Sequence, residues 1–181
     1  MKVSQERTLQ TERVYDGKLV GLRVDTVELP SGRETIREIV EHGEVVAMVP
    51  IDSENNVLLV RQYRKAAEKL LLEIPAGLVE PGESPIECAR RELEEETGFA
   101  AESWELLGGF YTSPGFCTEY IHVYLATRLS PSRSDPDDDE IIELVRVPLS
   151  KAADLVASGE VYDAKSIAGL HMALCRLGVQ S

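Results

Sequence analysis

The chain has 181 residues, 43% of them hydrophobic, and a formal net charge of -13 at pH 7. This length suits one domain with at most a small appendage, and the apolar fraction is sufficient for a packed core. So acidic a chain is a poor candidate for nucleic-acid binding or for electrostatic attachment to anionic lipid. If it acts on an anion, then arginine, lysine or a bound metal must supply positive charge locally.

The three cysteines, Cys88, Cys117 and Cys175, are far apart and form no CxxC pair. An odd number of separated cysteines is typical of reduced thiols in the cytoplasm. The N-terminal residues contain no apolar signal-peptide core, and the longest apolar run, Val45–Ile51, is too short to span a membrane. We therefore expect a cytoplasmic protein without a membrane partner.

The first part of the chain predicts short strands separated by turns. The turn signals are Asp16-Gly17, Pro30-Ser31-Gly32 and a hairpin over Asp52–Asn56. The predicted strands cover residues 11–29, interrupted by the first turn, then 33–41, 45–50 and 57–63, and a brief apolar run follows at 70–74. This region is therefore expected to be mostly β-structure.

A helix is predicted over Ser84–Thr97. Ser84 is a good N-cap, Pro85 suits the first helical position, and Glu87 completes a capping box. Gly98 is placed to end the helix as a residue in the left-handed conformation. The start and the end of this helix are thus both encoded locally.

Strands and helices follow at irregular intervals in the rest of the chain. The pattern predicts strands at 104–110, 120–127 and 141–148, an acidic, proline-containing loop over 131–140, and helices over about 150–158 and from about 163 to the glycine at 178. This order favours the α+β class, with a mixed β-sheet sandwiched between helices (α/β/α), over a repeating βαβ fold.

Three carboxylates share one face of the predicted helix. Glu92, Glu95 and Glu96 are spaced three and four residues apart, so their side chains project together. They repel one another, and the C-terminal end of the helix dipole disfavours them further. Either this is a solvated acidic face, or a hard divalent cation such as Mg²⁺, which prefers oxygen ligands, compensates the charge.

The segment from Gly77 to Phe99 resembles the Nudix box, the signature of the Nudix hydrolase superfamily. That pattern is glycine, five residues, glutamate, seven residues, then Arg-Glu-hydrophobic-x-Glu-Glu-x-Gly-hydrophobic, and every fixed position is filled here. The resemblance continues through RQYR at 61–64, LEIPAG at 72–77 and SPG at 113–115. It implies the Nudix fold, with a small N-terminal β region over 1–43 and a catalytic domain over 44–181.

The resemblance also implies a metal site that uses Mg²⁺, with Mn²⁺ as the alternative. The implied ligands are Glu92 and Glu96, with Glu95 sharing or bridging, and the backbone carbonyl of Ala76. Arg91 is expected to pair with a box carboxylate, foremost Glu83, and so to hold the acidic face in register.

A general base is implied in the acidic loop before the strand at 141–148. Glu140 is the first choice, and Asp138, Asp139 and Glu143 are the rivals because the alignment could shift by a residue or two. The alternative is that this loop is only a solvated acidic segment.

Pro114 lies 15 residues beyond Phe99, a position similar to the signature of the ADP-ribose pyrophosphatase branch. In isolation, a pair such as Pro114-Gly115 is more often only a turn. The resemblance implies hydrolysis of ADP-ribose, a nucleotide sugar, to AMP and ribose 5-phosphate. A GDP-mannose or other nucleotide-sugar pyrophosphatase, and a non-catalytic nucleotide-binding module, are the alternatives.

Arginines are the expected substrate ligands, because a guanidinium can hold phosphate in two parallel hydrogen bonds. Arg64 and Arg61 belong to the RQYR segment, and Arg37 lies on an earlier predicted strand. Some relatives stack adenine between aromatic residues of the N-terminal region, where this chain offers only Tyr15. The N-terminal strands are expected to pack against a second subunit, giving a homodimer.

Overall fold

A computed structural model describes residues 5–132 and 142–179. The chain forms two compact units: residues 1–43 with 111–120, and residues 44–110 with 121–181. The strands are β1 (Arg7–Asp16), β2 (Val20–Glu28), β3 (Glu34–His42), β4 (Val45–Ile51), β5 (Asn56–Arg64), β6 (Lys69–Glu73), β7 (Ala76–Leu78), β8 (Phe99–Tyr111), β9 (Tyr120–Pro131) and β10 (Glu143–Pro148). The helices are α1 (Pro85–Thr97), α2 (Ala152–Ser158, preceded by a 3-10 turn) and α3 (Ala164–Leu177).

The first unit is built on an antiparallel sheet with the order β1-β2-β3. The predicted turn at Asp16-Gly17 separates β1 from β2, and the turn before Arg33 separates β2 from β3. Residues 111–120 join this unit through a bridge between Val40 and Cys117.

The second unit contains a mixed sheet with the order β10-β5-β4-β9-β8, in which β6 pairs with β5 and β7 pairs with β4. β4 runs parallel to β9 and antiparallel to β5 and β7. The predicted hairpin between β4 and β5 is present, although only Ile51 and Val57 pair across it.

Helices cover both faces of this sheet. Side chains alternate between the two faces of a strand: Val46 and Met48 of β4 pack in one cluster with residues of α1, whereas Ala47 and Val49 pack with residues of α2 and α3. The prediction of a mixed sheet between helices is therefore confirmed. No helix within residues 5–132 and 142–179 is long and apolar enough to cross a membrane.

The helix ends follow the sequence signals closely. α1 begins after Ser84 and ends at Gly98, α2 ends at Gly159, and α3 begins after Asp163 and ends at Gly178. The strand predicted over 104–110 is longer than expected, because β8 starts at Phe99, immediately after the helix.

Candidate active site

The Nudix-like segment folds as a strand, a loop and helix α1. The Glu87 carboxylate accepts a hydrogen bond from the backbone N–H of Ser84 at 2.9 Å, which ties down the first turn. Gly98 has φ of +71°, a left-handed conformation that costs glycine little, and its N–H donates to the Glu94 carbonyl. The acidic face of α1 is thereby fixed between two well-defined ends.

Arg91 lies at the centre of the acidic cluster. Its Nε and Nη2 donate to the two oxygens of Glu83 at 3.0 and 3.1 Å. Its Nη1 donates to Glu92 at 2.7 Å and to Glu95 at 3.0 Å. The bonds from Arg91 lower the pKa of Glu83, and those same bonds raise the pKa of the Arg91 guanidinium. The expected pairing of Arg91 with Glu83 is present, and Arg91 also holds the first two carboxylates of the face.

Glu92 and Glu96 both reach the backbone at Ala76-Gly77. The backbone N–H of Ala76 donates to the Glu96 carboxylate at 3.0 Å. A Cβ added to Gly77 would lie 1.9 Å from the carboxyl carbon of Glu92, so only glycine leaves room for that carboxylate. The structure thus brings together Ala76, Glu92 and Glu96, three of the four residues predicted as metal ligands.

The carboxylates at this backbone segment are donors of the type that a hard divalent cation uses. Two carboxylates meet a backbone segment at a cradle that a methyl group would fill, and carboxylate and carbonyl oxygens are the donors that Mg²⁺ prefers. In the part of the chain that the structure describes, no three acidic, histidine or cysteine side chains converge closely enough to enclose an ion. Glu92 and Glu95 instead form ion pairs with the guanidinium of Arg91.

The arginines of the RQYR segment are both in ion pairs. Arg64 donates from Nε and Nη2 to Glu73, with a shortest distance of 2.8 Å. Arg61 donates to Glu143 at 2.9 Å across the β5–β10 pair. Arg64 is joined to a buried carboxylate, whereas Arg61 is held by an exposed one.

The other predicted substrate residues belong to the first unit. Arg37, Pro114 and Gly115 line one cavity of about 520 Å³. Arg37 is held by Glu6, to which its Nη2 donates at 2.6 Å and its Nε at 3.1 Å.

The same cavity contains residues that the sequence analysis did not single out, namely Arg23, Tyr111 and Phe116. Tyr111 and Phe116 have more than half of their surface exposed. Their positions within three residues of Pro114 are the sequence signal that points to them.

The predicted general base lies outside the described residues. Glu140 and its rivals Asp138 and Asp139 fall within 133–141, a segment for which the structure gives no account. The remaining rival, Glu143, opens β10 and pairs with Arg61.

The acidic cluster and the Ala76-Gly77 backbone lie within residues 41–169. This part of the chain matches the NUDIX domain model. The chain belongs to the Nudix hydrolase family. Residues 6–40 of this Nudix hydrolase match a second model, the nucleoside diphosphate sugar hydrolase N-terminal domain.

Two proteins and one solved structure resemble this Nudix hydrolase along most of its length. It is 45% identical to an ADP-ribose pyrophosphatase of Bacillus subtilis, over 92% of this chain and 91% of that protein. It is 45% identical, with the same coverage, to a protein of Bacillus methanolicus named methanol dehydrogenase activator. A crystal structure of an ADP compounds hydrolase superimposes with a TM-score of 0.89 at 27% identity, covering 98% of this chain and 97% of the other.

Proposed function

We propose that this Nudix hydrolase cleaves the diphosphate linkage of ADP-ribose to give AMP and ribose 5-phosphate. The observation that carries the proposal is the complete acidic cluster of α1, held by Arg91 and seated at Gly77. The name of the Bacillus subtilis relative supports the choice of substrate. The match of residues 6–40 to a nucleoside diphosphate sugar hydrolase domain supports the wider substrate class.

In this proposal Glu92 and Glu96, assisted by Glu95 and the Ala76 carbonyl, hold the divalent metal on which the reaction depends, with Mg²⁺ or Mn²⁺ as the ion. When bound, such an ion offsets the charge of the diphosphate and makes the attacking water more acidic. The Glu96 carboxylate is already oriented by the Ala76 N–H. Arg91 and Glu83 keep the acidic face in register, which is a structural contribution to catalysis.

The chemical step exchanges one P–O bond for another. The water oxygen forms a bond to one phosphorus, the bond from that phosphorus to the bridging oxygen breaks, and the bridging oxygen leaves with the other phosphate. The general base, Glu140 in this proposal, takes the proton of the water. Within the second unit, Arg64 and Arg61 are the proposed arginine ligands of the diphosphate. Within the first unit, Arg37, Pro114 and Gly115 line one cavity and are the proposed residues for further substrate contact.

A homodimer completes the proposal. All ten residues of β1 are exposed, including the apolar side chains of Leu9, Val14 and Tyr15. An exposed outer strand with three apolar side chains is a surface that a partner subunit can cover. Analytical ultracentrifugation at micromolar concentration should give a mass of two chains; a mass of one chain would remove this part of the proposal.

The substrate is tested by a panel of nucleotide sugars. Purified protein is incubated with Mg²⁺ and ADP-ribose, GDP-mannose, UDP-glucose or ADP-glucose, and the products are separated by chromatography. We expect AMP from ADP-ribose with the highest kcat/KM. A higher kcat/KM for GDP-mannose would mean that the site prefers a guanine nucleotide, while the proposed diphosphate hydrolysis would stand. If no nucleotide sugar is hydrolysed but calorimetry detects nucleotide binding, the protein is a non-catalytic binding module.

A further inference from the structure

A carboxylate buried in the second unit joins the end of strand β6 to helix α3. Glu73 is the last residue of β6, and only 2% of its side chain is exposed. It accepts hydrogen bonds from Arg64 and from Lys165, which approach from β5 and α3. Lys165 also donates to Asp163 at 3.0 Å, and only 14% of its side chain is exposed.

Two opposing effects act on the ionisation of Glu73. Burial would raise the pKa of this carboxyl, but the hydrogen bonds and positive charges of Arg64 and Lys165 outweigh burial and lower it. Glu73 is therefore ionised at neutral pH. A buried carboxylate requires such partners, because an unpaired buried charge is strongly unfavourable.

Contacts other than the Lys165–Glu73 ion pair also fix helix α3 against the end of β6. The Ser166 hydroxyl accepts a hydrogen bond from the Ile74 backbone N–H at 2.9 Å, in a fully buried contact. Gly169 lets the helix approach closely, since a Cβ there would lie 2.6 Å from Ile74 Cδ1. Asp163 caps α3 by accepting from the Ser166 N–H at 3.1 Å. The ammonium of Lys165 is thus delivered to Glu73 by a rigid element.

Glu73 in turn restricts the guanidinium of Arg64. Two of its nitrogens, Nε and Nη2, are held by the same carboxylate. A guanidinium is planar, so fixing two nitrogens also fixes the direction of the third. A free arginine side chain samples many rotamers and loses that freedom on binding a ligand. An arginine that a carboxylate already holds has lost this rotamer freedom before the ligand binds.

We propose that Lys165 is a positioning residue that acts through Glu73 to hold Arg64 ready for the substrate diphosphate. This inference rests on the proposed function, because it takes Arg64 as a diphosphate ligand. Lys165 has two tasks. Lys165 gives the Glu73 carboxylate a second positive partner besides Arg64. Lys165 also fixes that carboxylate in one orientation.

The test is a double-mutant cycle between Lys165 and Arg64. Lys165→Met, which keeps the aliphatic stem and removes the charge, should raise KM for ADP-ribose about tenfold, by analogy with the roughly 10- to 100-fold cost of losing a group that orients a metal ligand. kcat should change less than KM, because the lost interaction is ground-state binding. In an Arg64→Ala background the same change should add at most about a twofold effect. Lys165→Arg should restore most of the affinity.

Controls separate positioning from folding. Lys151→Met removes an exposed lysine that also pairs with an aspartate three residues away, at 3.0 Å, and it should leave KM unchanged. Thermal melting is recorded for every variant, and Lys165→Gln replaces Lys165→Met if the latter does not fold.

Additive effects of the two changes on KM would overturn the proposal, as would an unchanged KM in a folded Lys165→Met protein. The cycle is repeated on Kd for ADP, measured by calorimetry with Mg²⁺. If the wild type turns over no nucleotide sugar, the proposed function fails, and the ADP cycle alone decides the role of Lys165. A wild type that neither turns over a nucleotide sugar nor binds ADP would overturn both.

Discussion

Gly77→Ala is the substitution for which the structure gives the clearest expectation. The new Cβ would lie 1.9 Å from the carboxyl carbon of Glu92 and 2.1 Å from one of its oxygens, where ordinary contact begins at 3.4 Å. Because the obstructing atoms are at the end of a flexible side chain, the fold can adjust by moving the carboxylate rather than the backbone. The cost should therefore fall on the position of Glu92, and much less on the free energy of unfolding.

The magnitude follows from that displacement. The Glu92 carboxylate must move by roughly 1 Å or more, and a misplacement of about 1 Å in a catalytic group can cost about 100-fold in rate. We expect kcat/KM for ADP-ribose to fall about 100-fold and the Mg²⁺ concentration at half-maximal rate to rise, while the free energy of unfolding changes by less than about 1 kcal/mol.

The assay compares AMP release over a Mg²⁺ titration with urea unfolding of the same preparations. Gly159→Ala is the matched control, because Gly159 has φ of +76° and open space around it. That variant should lose roughly 1–2 kcal/mol of stability, the cost of a left-handed conformation for a residue with a Cβ, and keep wild-type kcat/KM. A Gly77→Ala protein with wild-type kcat/KM and Mg²⁺ dependence would refute the assignment of Glu92 to the metal site.

Three further predictions concern charge and burial. Burial, with the negative charges of Glu83 and Glu92, raises the pKa of the Cys88 thiol to about 12, so a maleimide at pH 8 should label exposed Cys175 and not Cys88 until the protein is unfolded; labelling of native Cys88 would contradict this. Arg91→Met should lower the free energy of unfolding by roughly 1–3 kcal/mol, from the loss of charged hydrogen bonds, and urea curves that coincide with the wild type would refute it. The pKa of Glu73 is lowered in the folded state from its unperturbed 4.5, so its stabilising contribution is complete above pH 4.5 and is lost as pH falls through the folded pKa; a melting temperature that falls no more steeply below pH 4.5 in the wild type than in Glu73→Gln would contradict this.

The local signals of the sequence accounted for the helices well. Ser84, Pro85 and Glu87 define the start of α1, and Gly98 defines its end, because caps and left-handed glycines act within a few residues. Strand partners were not predicted. β4 pairs in parallel with β9, more than 70 residues away, as in the pair of Val45 with Ile121, and no local pattern encodes such a pairing. The early start of β8 over Phe99–Ser103 reflects pairing in the sheet rather than propensity.

The residues of the candidate site also fall into two groups: those that the local sequence predicts, and those that only the folded chain brings together. The cluster of Glu92, Glu95 and Glu96 follows from helical spacing, and the Nudix resemblance supplied Arg91 and Glu83. The buried pair of Glu73 with Lys165 joins residues 92 positions apart, so the sequence shows only two unremarkable charges. The cavity of Arg37 and Pro114 likewise depends on a return of the chain at 111–120.

The central claim is that the acidic face of α1 carries a metal-dependent hydrolysis. Its most direct test is AMP release from ADP-ribose by the wild type and by Glu96→Gln, each with Mg²⁺, after EDTA, and after Mg²⁺ is restored. Glu102→Gln, which alters an exposed glutamate of β8 that pairs with Arg128, serves as the control. We predict rapid release by the wild type and the control, loss with EDTA, recovery with Mg²⁺, and at least about a 100-fold lower rate in Glu96→Gln. Release that survives EDTA, or that Glu96→Gln leaves unchanged, would contradict the account.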